Sequence, residues 1–228
     1  MSDPSAAGPQ TDPTDALPGP PEAHLRQVLL GVRLVGFGPI EEVARRVGLG
    51  ADAVGELLNW GEREALVAFR SGRISGWSLT AEGRARGEKL LAEEVVSAGA
   101  GEAIRASYED FLELNGAFLG LCTSWQVKTT GVGRFVPNHH DDPEYDAAVI
   151  IRLGETHGNV VPILDRLATA LDRFAHYRPR LARALELVQT GDLDWFTRPV
   201  VDSYHTVWFE LHEDLLATLG LERSSERS

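Results

Sequence analysis

The chain has 228 residues, with 22 Lys and Arg against 34 Asp and Glu, a formal charge of −12 at pH 7. With 43% hydrophobic and 25% charged residues it has the make-up of a globular protein, long enough for one large core or two small ones. No stretch approaches the roughly 18 apolar residues of a membrane span, and the single cysteine, Cys122, excludes an internal disulfide and a CxxC metal or redox pair.

The N-terminus has no basic stretch followed by an apolar core, so no secretory signal is expected and the expected compartment is the cytoplasm. The charge is unevenly spread. Residues 21–90 carry 10 Lys and Arg against 9 Asp and Glu, whereas residues 91–228 carry 12 against 22. Phosphate binding needs local positive potential, so any nucleic-acid surface belongs to the first of these parts.

Residues 1–20, rich in Pro, Asp, Ser, Ala and Gly, are expected to be a disordered tail. A first helix is expected from His24 to Val35, with Leu25, Val28, Leu29, Val32 and Leu34 as its apolar stripe. Pro39 suits the first position of a second helix, Glu41 and Glu42 its positive end, and Gly48 its stop. A third helix is expected from Ala51 to Trp60, ended by Gly61. The period then changes. Leu66–Phe69 and Ile74–Leu79 are strand-like, joined by the hairpin-length loop Arg70-Ser71-Gly72-Arg73. Thr80 suits the cap of a fourth helix, with Glu82 in its first turn and Leu90, Leu91, Val95 and Val96 further along. Three helices, a hairpin and a helix make the order of a winged helix-turn-helix domain over residues 21–97.

The segment Ile40-Glu41-Glu42-Val43-Ala44-Arg45-Arg46-Val47-Gly48-Leu49, followed by Leu66-Val67 and Leu79-Thr80-Ala81-Glu82-Gly83-Arg84, resembles MarR-type and related bacterial winged-helix regulators. The resemblance spans under half the chain and implies a DNA-binding transcriptional regulator, commonly a homodimer on a palindromic operator. About 130 residues follow the wing here, so PadR-like regulators, whose dimerising helices come after the wing, are the nearer architectural comparison. The expected DNA-contacting residues are Arg45, Arg46, Asn59, Arg63, Arg70, Arg73 and Arg84, with Arg86 and Lys89 nearby. Arg70 and Arg73 flank Gly72 at the wing tip, where long cations reach phosphates or a narrow minor groove. The third helix fits less well. It carries Asp52 and Glu56, its polar reader is Asn59, and it lacks the Arg or Lys that most often contacts guanine. That acidity suits a second reading, an interaction or accessory module whose winged helix packs on a partner protein.

Residues 98–228 are expected to form a helical bundle that dimerises or binds a small organic effector. Ile104, Tyr108, Phe111, Asn115, Phe118, Cys122 and Trp125 fall at alternating steps of four and three, the seam of one long helix. A loop follows over Gly131–Asp142, then helical text from Pro143 to Gln189, broken at Gly154–Pro162 and at Pro179, then a last helix from Pro199 to Leu219. Asn115 is either an amide that touches a ligand or one that fixes helix register through a partner side chain. His205 and His212, seven apart, with Asp202 placed to orient the first, join Trp125, Trp195 and Trp208 as the lining of an aromatic effector pocket, or are half-exposed histidines at a helix boundary. His139-His140-Asp141-Asp142 lacks an HxxxH or HExxH spacing and is expected to be a polar loop, not a metal site. With no phosphate-binding glycine loop, nucleophile elbow or carboxylate pair, neither a cofactor nor an enzyme is expected.

Overall fold

The computed structural model describes residues 19–129 and 133–221. The expected tail lies outside the described residues except for Gly19 and Pro20, as does the start of the loop expected at Gly131. The chain is mainly helical. α1 (Glu22–Val35), α2 (Ile40–Val47) and α3 (Ala51–Arg63) precede the antiparallel hairpin of β1 (Val67–Arg70) and β2 (Gly76–Leu79), and α4 (Ala81–Ser97) follows it. Among the described residues, no helix is long and apolar enough to cross a membrane.

Local chemistry explains most of these boundaries. Pro39 sits just outside α2 with extended backbone instead of at its first position, and Gly48 ends the helix in the left-handed region. Gly61 does not stop α3, which continues to Arg63. The glycine is buried where an added Cβ would crowd the Val67 side chain, so its smallness serves the packing of β1. Thr80 caps α4 as expected, its Oγ accepting from the Gly83 amide at 2.9 Å. Gly83 is needed there: an added Cβ would lie 1.7 Å from the Leu66 carbonyl oxygen. Leu25, Val28, Leu29, Val32, Val43, Val54, Leu58, Val67, Trp77 and Leu90 form the core of this part.

The remainder packs around a second, larger core. α5 (Gly101–Gln126) buries Ile104, Tyr108, Phe111, Phe118, Cys122 and Trp125 along the expected seam. A second antiparallel pair follows, β3 (Val127–Thr129) ahead of the expected loop and β4 (Phe135–Pro137) within it. α6 (Pro143–Ala170) then runs unbroken through Gly154 and Pro162. Pro162 is exposed, and so is Gly158, the residue that loses the Pro162 amide as its helical partner, so the gap lies on the solvent face and the helix continues. The real break is a 3₁₀ turn at Asp172–Phe174. Pro179 falls in the first turn of α7 (Tyr177–Gln189), where an amide would have no intrahelical partner. A short α8 (Asp194–Thr197) occupies text expected to be loop, and α9 (Tyr204–Leu219) starts five residues later than expected, at the Ser203 cap.

The two cores meet in a small apolar cluster of Leu30, Leu91 and Ala217, with Leu34 packed against it. Around that contact the junction is ionic, and the charged side chains matter to the site.

Candidate functional site

The β1–β2 hairpin is held firmly at its base. Val67 pairs with Leu79 and Arg70 with Gly76, while the Phe69 and Trp77 rings lie 5.2 Å apart. Trp77 also bridges to Gly38 through two backbone hydrogen bonds, of 2.8 and 3.2 Å, tying the hairpin to the turn between α1 and α2. Beyond this base the strands project Arg70, Ser71, Gly72, Arg73 and Ile74 into solvent, all exposed.

Arg63 at the end of α3, Arg70 and Arg73 on the hairpin, and Arg84 in the first turn of α4 are exposed and form no ion pair with any described residue. Arg105 of α5 and Arg152 of α6 are likewise exposed without a described ion pair, but these four are grouped around one hairpin, whereas most other arginines face a carboxylate: Arg33 pairs with Glu88, Arg86 with Glu22, Arg166 with Asp110 and Arg178 with Asp165. Lys89 is also engaged, with Glu93 at 3.8 Å. Asn59 is exposed on α3 as expected, in the company of Asp52, Glu56 and Glu62. Glu62 leans toward the hairpin and accepts from the Phe69 amide at 3.2 Å.

Arg45 and Arg46 part company. Arg45 is exposed and pairs with Glu42. Arg46 turns the other way, its side chain only 10% exposed, and donates to Asp202 and Glu210 at 2.7 Å each and to Glu42 at 3.0 Å. It is spent inside the protein, across 156 positions of sequence, and is not available to a phosphate. Arg180 of α7 completes the cluster, with Nε 3.1 Å from Asp202 and Nη2 2.7 Å from Glu210. Burial opposes the charge on Asp202, but Arg180 and Arg46 outweigh it and hold the carboxyl below its ordinary pKa. Glu210 is more deeply placed, and there burial wins over the same two arginines and raises the pKa.

A second cluster lies alongside. Glu94 of α4 receives Arg26 at 2.9 Å and Arg173 at 2.8 Å, and Arg173 also donates to Asp214 and to the Thr218 hydroxyl, the latter at 2.5 Å. Burial works against the Arg173 charge, and Asp214 and Glu94 more than offset it, holding the guanidinium pKa above its ordinary value. The Tyr177 hydroxyl donates to Asp214 at 3.0 Å, and burial together with that carboxylate pushes the phenol well above its ordinary pKa. The two clusters border a cavity of about 650 Å³ between the N-terminal helices and the C-terminal part, within the range of small-molecule sites. Nothing local in the sequence marks this cavity, because its walls come from residues 23–48, 94, 172–180 and 202–214.

The pocket expected around α9 is much smaller. Asn115, His205, Trp208 and His212 do come together, with Phe118 and Phe209, around a cavity of about 200 Å³. Asn115 accepts from the Trp208 indole N–H at 3.0 Å, the partner side chain that fixes α5 against α9. His212 is buried with its ring 5.3 Å from that of Phe111, and His205 has its pKa lowered by burial. Trp125 is not part of this lining. It is buried near the far end of α5, its ring 4.6 Å from Phe196 and 4.4 Å from His140. Trp195 packs, half-buried, on the same core. Asp202 does not orient His205, being held by Arg46 and Arg180.

His140 belongs to a structural knot: its Nδ1 lies 3.0 Å from Asp146, whose other oxygen accepts from the Asn138 amide at 2.9 Å. Among the described residues no group of three or more His, Cys, Asp or Glu is placed to hold a metal ion. Cys122 is buried on the α5 seam, where desolvation pushes its thiol up to about 12, far from a reactive thiolate. Compared with known proteins, the chain matches no family model, no curated protein and no solved structure.

Proposed function

We propose that this chain is a DNA-binding transcriptional regulator in which residues 21–97 act as a winged helix-turn-helix and β1–β2 is the wing. The observation that carries this reading is the set of exposed, unpaired arginines around the hairpin, Arg63, Arg70, Arg73 and Arg84, in a protein of charge −12. Cations left free of internal carboxylates are the ones that can release counterions from a phosphate backbone. Arg45 stands beside them with its single partner Glu42, and Asn59 offers α3 an adenine contact. The helical C-terminal part serves as a bundle for dimerisation, with the exposed Leu119 of α5 and Phe209 of α9 suited to a second copy. A two-fold dimer then meets two half-sites of a palindromic operator, and a small effector shifts the DNA-competent population by binding its two states unequally.

One feature favours a second reading. The exposed side of α3 presents Asp52, Glu56 and Glu62, which repel phosphates and suit a basic protein surface. The double variant Arg70→Ala, Arg73→Ala separates the two. On the regulator reading it weakens DNA binding and lowers the salt slope by about 1.8, near 0.9 for each phosphate that an arginine no longer neutralises. Unchanged DNA affinity in that variant removes the wing assignment and leaves the protein-interaction module.

A further inference from the structure

The geometry points to the cavity between the N-terminal helices and the C-terminal part as a binding site for a small organic oxyanion, a carboxylate or phosphate ester on a compact apolar body. Hydrogen-bond capacity around the cavity decides the ligand class. Three buried or half-buried carboxylates, Glu94, Asp202 and Asp214, line the site; these and Glu210, which shares Arg46 and Arg180 with Asp202, are each engaged on both oxygens. Glu94 receives Arg26 and Arg173; Asp202 and Glu210 each receive Arg46 and Arg180; Asp214 receives Arg173 on one oxygen and Tyr177 on the other. Asp172, exposed at the rim, is the exception.

The arginines, in contrast, have donors to spare. Arg26 engages Glu94 through Nη2 alone, Arg180 uses Nε and Nη2 and keeps Nη1, and Arg45 engages Glu42 through Nη2 alone. All three line the cavity. A site whose inner carboxylates are already engaged by donors and whose guanidinium groups keep unused N–H groups favours a ligand rich in acceptors, and planar guanidinium forks suit carboxylate and phosphate oxygens. Leu30 and Leu34 of α1 and Val47 of α2 supply the apolar wall for the rest of the molecule. His176 adds an acceptor: its Nδ1 bonds the Arg173 carbonyl at 2.7 Å, which leaves Nε2 of the neutral ring for a ligand hydroxyl.

The site joins α2, the helix next to α3, to residues of α7 and α9, so an occupant touches both parts at once. Calling that occupant the effector rests on the proposed regulator function; the binding itself does not, and it is measured without DNA. The full chain is titrated calorimetrically with cyclohexanecarboxylate, cyclohexyl phosphate and the neutral isostere cyclohexanecarboxamide. Saturable binding of either anion is expected, with the amide about tenfold weaker or more, and the tighter anion identifies the head group. Ala23→Trp, which fills the cavity from an exposed position on α1, abolishes binding, and Arg26→Gln weakens it by about tenfold while Glu94 keeps Arg173. Thermal unfolding checks that both variants fold. Equal binding of amide and anions, binding that survives Ala23→Trp, or no binding of either anion overturns the assignment. Such a failure leaves the wing and its DNA assay untouched, and loss of the DNA reading leaves this titration standing.

Discussion

Replacing Arg46 by methionine is expected to destabilise the protein by about 3 kcal/mol while leaving the hairpin's chemistry intact. Removing one member of a buried ion pair costs about 3–5 kcal/mol, because the partner charge stays buried without compensation. Arg46 is 10% exposed and Glu210 only 4%, so the desolvation is close to complete on both sides. Two features place the cost at the low end. Arg180 remains on both Asp202 and Glu210, and Arg46 Nε is itself buried without a hydrogen-bond partner, a loss that methionine removes. At about 2–4 °C per kcal/mol for a chain of this size, the unfolding midpoint falls by about 6–12 °C. Urea titration of the wild type, Arg46→Met, Glu210→Gln and the double variant measures the pairwise coupling directly. The same proteins are tested for DNA affinity and its salt slope. A change in stability below about 1 kcal/mol, together with a shallower salt slope on DNA, would mean that Arg46 faces a phosphate and that the ionic junction is misassigned.

Three further outcomes are expected. Gly83→Ala forces a Cβ to within 1.7 Å of the Leu66 carbonyl oxygen, backbone against backbone, so α4 shifts off the turn before β1. The expected loss exceeds about 3 kcal/mol, and a folded variant of wild-type stability would refute that packing. Asn115→Ala strands the Trp208 indole N–H and costs about 1–2 kcal/mol, less if water enters the adjoining cavity; adding Trp208→Phe leaves no further hydrogen-bond loss to measure. Stability also falls on acidification. Burial lowers the pKa of His157, His176 and His205, so each is harder to protonate folded than unfolded. Their contribution is whole above the unfolded value of about 6.5 and is lost as pH falls through it toward the folded values. Glu210, raised by burial, acts in the opposite sense at lower pH, so His205→Gln isolates the effect: urea midpoints between about pH 7.5 and 5.5 decline less steeply in that variant.

The parts of the fold that were legible in the sequence are those fixed by neighbours along the chain. The α5 seam shows because its steps of four and three repeat over seven positions, apolar at all but Asn115, and Thr80 shows because capping is a local hydrogen bond. The expectations that failed concern residues whose role depends on distant packing. Gly61 carries a stop signal but is needed small against Val67, and Pro162 carries a break signal but lies on an exposed face. Arg45 and Arg46 are indistinguishable as letters. The buried Val43 and Ala44, with half-buried Val47, were the available clue, since Arg46 follows Val43 by three and so leans toward the interior. Nothing in the text pairs it with residues 202 and 210. The cavity at the junction was illegible for the same reason, whereas the Asn115–Trp208 contact was half visible as an amide on an apolar seam that required a partner.

Whether the hairpin arginines serve DNA is decided by fluorescence anisotropy of the full chain on the DNA upstream of its own gene. A scrambled duplex of equal length is the control, across a salt series. A DNA-binding wing gives tighter binding to the upstream sequence than to the control, with a negative log–log salt slope of about −0.9 for each phosphate neutralised. No binding to either duplex at low salt would contradict it and turn the acidic face of α3 into the surface to be explained.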